Sequence, residues 1–552
     1  MKRYYDAQAG TGALRNPRRL LLMTVLLLAA VAGIAPAQGT QPIDTTRKSL
    51  KATMEVDAAA PVSTSTTLGA GGTAVQARAS YGHMYSVQST GTLGAKVGGA
   101  QDIGYARQLI NSGQIPRFID FSAEGLYSEH DIPTPSGDCN EKLCLSLGYG
   151  YAPTADNRSN AIFLQLGMNS NIKPGEFKRT PLQLAVVIDR SGSMQGASMN
   201  SVKTALHSLA RKLGPDDEIM LVQFDDQAQV VLPATRVSDL PKVIAAIDGI
   251  RIGGGTDIEA GLALGFRELA ALPARPGVSR RVMLFTDARP NVGRTDSGSF
   301  CTLTRQYADQ GIGISAFGVG QDFGQELVYH ITQLRGGNFF FLESPEKIAR
   351  VFDAEFDYLV TPLVYDLDVK VRTPNGLKLT AVYGLPTWKP GSRDAELHVP
   401  TVFLSSNHGA IVLRYEKDGD GPLVLDRGDR VAEGTLSFTG VDGTKYSEDR
   451  DVRYQGAERL EPGTQFYSHD GMRMAVALTN IYFALRDGCT LLAEGKRKES
   501  VDAISRGRGI AMLENLMLMD KGLSDEIALL DKLQENIEKG TDVRTPASMP
   551  SE

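Results

Sequence analysis

The sequence predicts an α/β fold, a doubly wound, Rossmann-like sheet with helices on both faces and smaller elements on either side. One observation is the apolar run from Leu184 to Ile188, whose lack of polar alternation is typical of a strand buried on both faces. Another is the regular alternation of strand and helix patterns between residues 181 and 360. A third is the polar set Asp189, Ser191 and Ser193 directly after the run, since sites in such sheets form beyond the carboxyl ends of strands.

Length and composition set the outer limits. The chain has 552 residues, more than one hydrophobic core supports, so several domains are expected. With 42% hydrophobic and 22% charged residues it has the composition of an ordinary globular protein. The net charge is -6, and nucleic-acid binding is not expected because it needs a basic excess. The one dense basic run, residues 496–498, is typical of a solvated loop between two helices.

The amino terminus has the pattern of a secretory signal peptide over residues 1–37. Arginines at 15, 18 and 19 precede an apolar stretch from Leu20 to about Ile34, and Ala35-Pro36-Ala37 supplies a small-residue exit. An uncleaved anchor is the alternative, since the stretch is only a little short of a bilayer span. A membrane contact is expected only through such an uncleaved segment. We expect an exported protein, in the periplasm, on the cell surface or outside the cell.

Two segments precede the main domain. Residues 38–100 are rich in Thr, Ser, Ala and Gly and carry too little apolar surface for a core, which predicts a flexible spacer. Residues 101–180 predict a small α+β segment, with a helix from Ala106 to Ser112 and strands at Leu145 to Tyr151 and Ala161 to Met168.

The four cysteines indicate no zinc site. Cys139 and Cys144 are close enough for a local disulfide, which export permits, but the sequence leaves their pairing open. Cys301 and Cys489 are isolated, and their spacing matches no zinc motif.

Residues 181–360 predict the main domain. After the first strand come a helix (199–213), a strand (218–224) paired with residues 229–232, a helix (240–250), the glycines 253–255, a helix to about 272, a strand (281–285), a helix (301–309), a strand (313–319), a helix (326–334), a strand (339–342) and a helix opening at Ser344-Pro345. Beyond it we expect an antiparallel, sandwich-like β-domain (361–460), a helical region (461–540) and a disordered tail (541–552).

Oxygen-bearing side chains follow two of these strands and one glycine loop. Asp287 comes directly after the strand at 281–285, and Thr256 follows the three glycines. If the strand at 281–285 neighbours the first strand, Asp189 and Asp287 face one crevice. Carboxylates, hydroxyls and water are the ligands that Mg²⁺ prefers. The alternative is a local role for each residue: Thr256 opens a capping box with Glu259, Asp287 occupies a turn, and the two serines assist helix entry.

The motifs D-R-S-G-S, G-G-G-T-D and F-T-D resemble the metal-ion-dependent adhesion site of the von Willebrand factor type A family. All five positions of that motif are present: Asp189, Ser191, Ser193, Thr256 and Asp287. The resemblance covers residues 181–360 and implies a divalent cation, usually Mg²⁺, with Mn²⁺ or Ca²⁺ as alternatives. It implies Ser191 and Ser193 as direct ligands, and the other three as ligands directly or through water. It also implies that a carboxylate of the partner takes a remaining coordination position.

A second resemblance concerns the segment before this domain. Residues 105–116, Y-A-R-Q-L-I-N-S-G-Q-I-P, and the E-G-L-Y that follows near Glu124 resemble a segment of exported bacterial proteins that carry the same domain. Those proteins also have a β-rich region and helices after it, so this resemblance implies the architecture and no particular activity.

Three hypotheses for function follow. The first is a non-enzymatic binding protein for a protein or envelope ligand that presents a carboxylate, with no catalytic residue and no organic cofactor. The second is a hydrolase or other enzyme with a site elsewhere, although the sequence holds no H-E-x-x-H or G-x-S-x-G and no G-K-[ST] after the glycines. Ser344 to Lys347 matches S-x-x-K but is more typical of a helix cap. The third is an adaptor for an ATPase complex, which the predicted signal peptide disfavours.

Overall fold

The computed structural model describes residues 92–135, 139–156, 160–287, 291–293, 296–320, 323–385, 393–420, 423–461 and 463–544. These residues belong to one compact unit. The predicted signal peptide, the predicted spacer up to residue 91 and the last eight residues of the predicted tail lie outside the described residues.

The elements of the described residues are numbered here in chain order. The strands are β1 (Gly94–Val97), β2 (Gly99–Ala100), β3 (Cys144–Pro153), β4 (Asn160–Asn169), β5 (Leu182–Asp189), β6 (Glu218–Phe224), β7 (Ala228–Arg236), β8 (Ser279–Thr286), β9 (Ile312–Gly318), β10 (Gly337–Phe341), β11 (Pro362–Arg372), β12 (Leu377–Tyr383), β13 (Ala395–Ser405), β14 (Ala410–Lys417), β15 (Arg430–Gly440), β16 (Lys445–Arg453) and β17 (Phe466–Tyr467). The α-helices are α1 (Gly104–Asn111), α2 (Ala123–Ser128), α3 (Ala197–Lys212), α4 (Leu240–Asp248), α5 (Ile258–Ala271), α6 (Ser297–Ala308), α7 (Gln325–Thr332), α8 (Pro345–Ala349), α9 (Phe356–Leu359), α10 (Asp470–Ala493), α11 (Arg497–Leu518) and α12 (Lys521–Glu538).

The central sheet has seven strands in the order β2-β10-β9-β8-β5-β6-β7. Strand β7 is antiparallel to β6, and the other neighbours are parallel. Every residue of β5 is buried, with Val186 in the core on one face and Val187 in the core on the other. The predicted fold class, a doubly wound sheet covered on both faces, is confirmed.

The strand order reverses between β5 and β8. The chain leaves β5 toward β6 and β7 on one side and returns to β8, β9 and β10 on the other. Strands β5 and β8 are parallel neighbours, with Ile188 beside Phe285. Their carboxyl ends therefore lie side by side, at the point where sites form in sheets of this kind.

A second sheet has ten strands and is antiparallel throughout. It contains the expected strands between residues 362 and 453, but also β3 and β4, since β4 pairs with β14. Side chains from opposite parts of the sheet, such as Leu379 on the edge strand β12 and Leu436 on β15, belong to one core, so the sheet folds over on itself. The predicted boundary between a 101–180 segment and a separate 361–460 β-domain is therefore wrong.

The helices of the predicted 101–180 segment join the carboxyl-terminal helices. Ile110 of α1 and Leu126 of α2 share one core with α10, α11 and α12. The amide of Asn536 on α12 donates to the backbone oxygen of Ile110 at 2.8 Å. Contacts between residues more than 400 positions apart leave no mark on local periodicity, and this is why the sequence indicated two separate regions.

The predicted spacer and the predicted tail are each too long by a few residues. Strand β1 pairs with β13, Ala95 lying beside Leu404, and β2 adds to the edge of the central sheet. Alternate side chains Leu93, Ala95 and Val97 are buried, which offsets the entropy of ordering this short stretch. At the other end, the backbone N–H of Arg544 donates to the oxygen of Ile115 at 3.0 Å.

Cys139 and Cys144 form a disulfide, which the sequence had left open. Cys301 is half-buried and Cys489 is buried, and neither forms a disulfide. Across the portion of the chain that the structure describes, no helix combines the length and apolar character needed to cross a bilayer.

Candidate metal centre

Asp189 is the last residue of β5 and is fully buried. One carboxylate oxygen, Oδ1, accepts from the backbone N–H of Ser191 at 2.9 Å, and the other, Oδ2, accepts from the hydroxyl of Thr286 at 2.6 Å. Each carboxylate oxygen has a second lone pair. The side chain is thus held in one orientation while retaining capacity to bind a cation.

Ser191 and Ser193 lie on the turn that leaves β5. Ser191 is buried and Ser193 is exposed, and their Oγ atoms are 3.1 Å apart. A short 3-10 turn, Gly192–Met194, follows Ser191, yet the hydroxyl of Ser191 makes no capping hydrogen bond to it. The alternative in which this serine merely assists helix entry is therefore not supported.

The glycine loop before α5 lies directly over this turn. The N–H of Gly253 donates to the oxygen of Arg190 at 2.7 Å, and the N–H of Gly192 donates to the oxygen of Gly254 at 3.0 Å. A Cβ at Gly253 would meet the carboxylate of Asp225, and one at Gly254 would meet Asp226. Glycine is required at both positions because the loop passes these two carboxylates, on the turn between β6 and β7, more closely than a side chain allows.

Thr256 is buried at the end of the glycine loop. Its N–H donates to Oδ1 of Asn291 at 2.7 Å, and its backbone oxygen accepts from the N–H of Asn291 at 3.1 Å. The residue that caps α5 is Asp257, whose side chain accepts from the N–H of Ala260 at 2.9 Å. The alternative in which Thr256 starts the helix through a capping box is wrong, since its neighbour performs that role.

Asp287 follows β8 and is buried. Its backbone oxygen accepts from the N–H of Gly324 at 2.9 Å, which connects it to the loop after β9. Gly320, in that same loop, has φ +86, and a Cβ there would lie 3.7 Å from the Cβ of Asp287. Asp287 therefore stands at the adjoining carboxyl end of the sheet, as the sequence predicted for neighbouring strands.

The two carboxylates influence each other. Burial, and then the negative charge of Asp287, raise the pKa of Asp189 to about 7. Two buried like charges at one crevice are unfavourable unless a positive charge offsets them. Arg190 does not serve this purpose directly, since its guanidinium forms an ion pair with Asp225.

The donor set suits a hard divalent cation. Two carboxylates and three hydroxyls stand on loops that hydrogen bonds hold together at one edge of the sheet. Oxygen ligands of this kind suit Mg²⁺, Mn²⁺ or Ca²⁺. Within the described ranges, no group of three or more His, Cys, Asp or Glu side chains is placed to hold a metal ion. The site described here has only two carboxylates, and its other donors are the hydroxyls of Ser191, Ser193 and Thr256.

Three residues that support the site through hydrogen bonds were not predicted from the sequence. Thr286 holds Asp189, Asn291 holds the backbone of Thr256, and Asp226 accepts from the N–H of Gly255 at 2.9 Å. The first two stand in the F-T-D-A-R-P-N stretch, and Asp226 stands in the tight turn after β6. In the sequence, the only indication of their role was that they stand near other candidate site residues. Nearness in sequence does not distinguish a residue that supports the site from one that is exposed to solvent.

Residues 183–354 match the family model of the von Willebrand factor type A domain. This part of the chain, which contains the central sheet apart from β2, is therefore a von Willebrand factor type A domain. The match covers the segment that holds all five candidate ligands.

Two curated relatives and one solved structure illustrate the similarity. An uncharacterised protein of Synechocystis sp. is 30% identical over 175 residues, which are 32% of this chain and 41% of that protein. The uncharacterised protein YfbK of Escherichia coli is 25% identical over 274 residues, 48% of this chain and 47% of that protein. The chain thus spans less than half the length of these relatives. The structural alignment with a von Willebrand factor type A protein from Catenulispora acidiphila includes 74% of this chain and 99% of that protein's chain, with 13% sequence identity and a TM-score of 0.46.

Proposed function

We propose that this chain is an exported, non-enzymatic binding protein whose von Willebrand factor type A domain uses a divalent cation to hold an acidic group of a protein or cell-envelope partner. One observation carries the proposal. The loops after β5, after β8 and before α5 meet at the point where strand order reverses, and they bring two buried carboxylates together with the paired hydroxyls of Ser191 and Ser193. Mg²⁺ is the cation we expect, with Mn²⁺ or Ca²⁺ as alternatives.

The donor types explain how such a site would bind a partner. Ser191 and Ser193 would contact the cation directly, and Asp189, Thr256 and Asp287 directly or through water. Neutral hydroxyls and water leave much of the cation's charge available. A carboxylate from the partner would then complete the octahedral coordination that Mg²⁺ prefers. Because Ser193 is exposed, the partner would approach from its side of the site.

The contacts of two candidate catalytic groups support a non-enzymatic role. The hydroxyl of Ser344 accepts from the N–H of Lys347 at 3.2 Å and so caps α8. The ammonium of Lys347 lies 3.0 Å from Asp102, in a buried ion pair. The S-x-x-K match therefore has a structural explanation. His207, on α3, lies 3.0 Å from the exposed carboxylate of Asp248, a contact at the protein surface.

The proposal that the protein is exported is based on the sequence of the amino terminus, and one independent observation supports it. The disulfide between Cys139 and Cys144 is of a kind that persists in oxidising compartments and is rare in the cytosol. A cytosolic adaptor for an ATPase complex would not be expected to carry it.

Titration calorimetry with Mg²⁺ and Mn²⁺ tests the cation site. The full chain should bind one divalent cation, and Asp189→Ala and Thr256→Ala should each weaken that binding greatly. Asp309→Ala is the matched control, because it removes an exposed carboxylate from the same domain. Absence of saturable binding at millimolar metal would refute the proposal, as would an Asp189→Ala variant that binds as the native chain does.

The partner is tested by metal-dependent capture from the envelope of the source organism. Retention in Mg²⁺, release by EDTA and loss of retention in Asp189→Ala would support a cation-bridged contact. Capture that persists in EDTA would indicate a surface other than the proposed site.

A further inference from the structure

The last two turns of α11 and the residue after it expose five large apolar side chains. Met512, Leu513, Leu516, Met517 and Met519 have 48%, 63%, 73%, 55% and 86% of their surface accessible. We call these five residues the Met/Leu face. Single exposed apolar side chains are normal, but monomeric proteins rarely expose contiguous apolar patches larger than a few hundred Å².

The opposite side of the same turns packs against the rest of the protein and includes buried polar groups beside Ala511 and Leu518. Glu514 is 2% exposed, accepts from the hydroxyl of Tyr467 at 2.6 Å and forms an ion pair with Arg473 at 2.7 Å. The amide of Asn515 donates to the hydroxyl of Ser524 at 2.9 Å. An ordinary surface helix buries its apolar stripe and exposes its charges. Here α11 is held through its other side, which buries Ile504 and Ala511 together with Glu514, so the exposed Met/Leu face does not hold α11 in place.

The face continues toward the start of α11 as small and polar residues. At 100° per residue, Gly509, Ser505 and Asp502 lie on the same side of the helix as Leu513 and Leu516. Nothing lies within 4 Å of a Cβ built at Gly509, and Ser505 and Asp502 are exposed. One helix face therefore has a bulky apolar end and a small, polar end.

We propose that the Met/Leu face is occupied by a second copy of this chain, through antiparallel pairing of two α11 helices about a two-fold axis near Leu513. In such an interface each contact occurs twice, so the surface must be complementary to itself. Antiparallel pairing sets the bulky end of each helix over the small residues Gly509 and Ser505 of the other copy. A parallel pair would instead stack Leu516 on Leu516 and leave a gap at Gly509.

The charges along the face have the same symmetry. Asp502 lies at one end, and Lys521, with 88% of its side chain exposed, lies just past the other. With Gly509 opposite Leu516, Asp502 of one copy lies toward the carboxyl end of α11 in the second copy, where α12 begins at Lys521. A lipid surface suits this face less well, since membrane-surface helices carry Lys and Arg beside their apolar face. Here exposed side chains of both signs flank the face: Lys498, Glu499, Asp502, Lys521 and Asp525.

The distribution of apolar and polar residues also suits a dimer contact. A specific protein interface has an apolar centre and a polar rim. The Met/Leu face would supply the centre, and Asp502, Ser505 and Lys521 the rim. Long, unbranched methionine side chains adapt readily to an opposing surface. The dimer does not depend on the proposed cation site, but it would present two such sites to one envelope surface.

Sedimentation analysis of the full chain, in a Cys301→Ser background that prevents disulfide dimers, tests the inference. The chain with the native Met/Leu face should form a dimer in a concentration-dependent way. Leu513→Glu or Leu516→Glu should raise the dissociation constant of this dimer about tenfold or more. Phe118→Glu is the matched control, because Phe118 is 62% exposed but lies outside the face. Circular dichroism of each variant verifies that the helices remain folded.

A charge exchange tests the antiparallel geometry itself. Asp502→Lys and Lys521→Asp should each weaken the dimer, and the two together should restore it. A chain with the native face that stays monomeric at high micromolar concentration would overturn the proposal, and so would a dimer that persists in Leu513→Glu. Binding of a monomeric chain to phosphatidylglycerol vesicles that Leu513→Glu abolishes would assign the face to lipid and overturn it as well.

Discussion

The hydroxyl of Thr286, at the end of β8, donates a 2.6 Å hydrogen bond to Oδ2 of Asp189, at the end of β5. The N–H of Ser191 donates to the other oxygen of the same carboxylate at 2.9 Å. Asp189 is thereby fixed from two strands, and its orientation depends on the register between them. Residues that orient a metal ligand in this way are nearly as important for affinity as the ligand itself.

Thr286→Val should weaken cation binding at the proposed site without removing any of the proposed ligands. Valine keeps the shape of threonine but leaves Oδ2 of Asp189 without this donor, so affinity for Mn²⁺ should fall about tenfold, and the free energy of unfolding by about 1 to 2 kcal/mol. Calorimetry and chemical denaturation measure the two effects. Thr302→Val is the control, since the hydroxyl of Thr302 bonds only within exposed α6, to the oxygen of Gly298. Native Mn²⁺ affinity in Thr286→Val would show that this hydrogen bond does not position the ligand.

Gly253→Ala should disturb the site through the backbone. A Cβ at this position would meet the carboxylate of Asp225, which is itself paired with Arg190. Relieving that contact requires the Asp225 carboxylate to shift, which disturbs its ion pair with Arg190 in the turn after β5, so stability should fall by about 1 to 3 kcal/mol and Mn²⁺ binding should weaken. Calorimetry and denaturation again provide the measurement.

Gly214→Ala is the matched control for the loop variant. Its Cβ would lie 3.8 Å from the nearest heavy atom, Oδ2 of Asp217, an ordinary contact. Equal losses of Mn²⁺ affinity in the two variants would contradict the idea that close approach of the loops forms the site.

The central domain could be predicted because its information is local. The uninterrupted apolar run of β5 indicates burial on both faces, and the turn at Asp225 and Asp226 indicates the antiparallel pairing of β6 with β7. The types and order of the five candidate ligands also pointed to one edge of the sheet. The neighbour relation between β5 and β8 was a condition that only the structure could supply.

The features that could not be predicted from the sequence depend on contacts between residues that are far apart in the chain. Strand β1 is only four residues long and becomes a strand by pairing with β13, some 300 residues later. Asn536 anchors α12 to α1 through the oxygen of Ile110. In the site, Asn291 acts through the backbone of Thr256. None of these roles follows from residue type or period, since each depends on where a remote segment lies.

Lys347→Met should destabilise the protein far more than an ordinary surface change. The ammonium of Lys347 is buried, 3.0 Å from Asp102 and 3.5 Å from Glu129. Burial alone would lower the pKa of Lys347, but the carboxylates of Asp102, Glu129 and Glu343 raise it well above its usual value. Removing the cation leaves buried carboxylates without their partner, which costs about 3 to 5 kcal/mol.

Chemical denaturation measures this loss, with Lys370→Met as the control because 69% of the Lys370 side chain is exposed. Asp102 and Glu129 precede the von Willebrand factor type A domain, whereas Lys347 lies within it. A large loss in Lys347→Met would therefore show that these ion pairs stabilise the contact between the domain and the preceding segment. A loss no greater than that of the control would mean that the ion pairs contribute nothing to joining them.

His469 should make the protein less stable in mild acid. It is buried, its Nε2 lies 3.2 Å from the backbone oxygen of Pro133, and its Nδ1 lies 2.9 Å from the hydroxyl of Ser468. Burial lowers the pKa of His469 to about 4, whereas an unfolded histidine titrates near 6.5. Between these values the unfolded state binds a proton that the folded state does not. Its contribution to stability is therefore complete above pH 6.5 and is lost as the pH falls toward 4.

His469→Gln isolates this effect, because glutamine can still donate to the oxygen of Pro133 but does not titrate. Between pH 7 and pH 4 the native chain should lose about 3 kcal/mol more of its free energy of unfolding than the variant does. Carboxylates that titrate over the same range contribute equally to both chains, so their contribution cancels in the difference between the two free energies of unfolding. His398→Gln makes the same replacement at an exposed position, beside Asp368, and is the matched control. Parallel pH profiles for the native chain and His469→Gln would show that His469 is protonated alike in the folded and unfolded states.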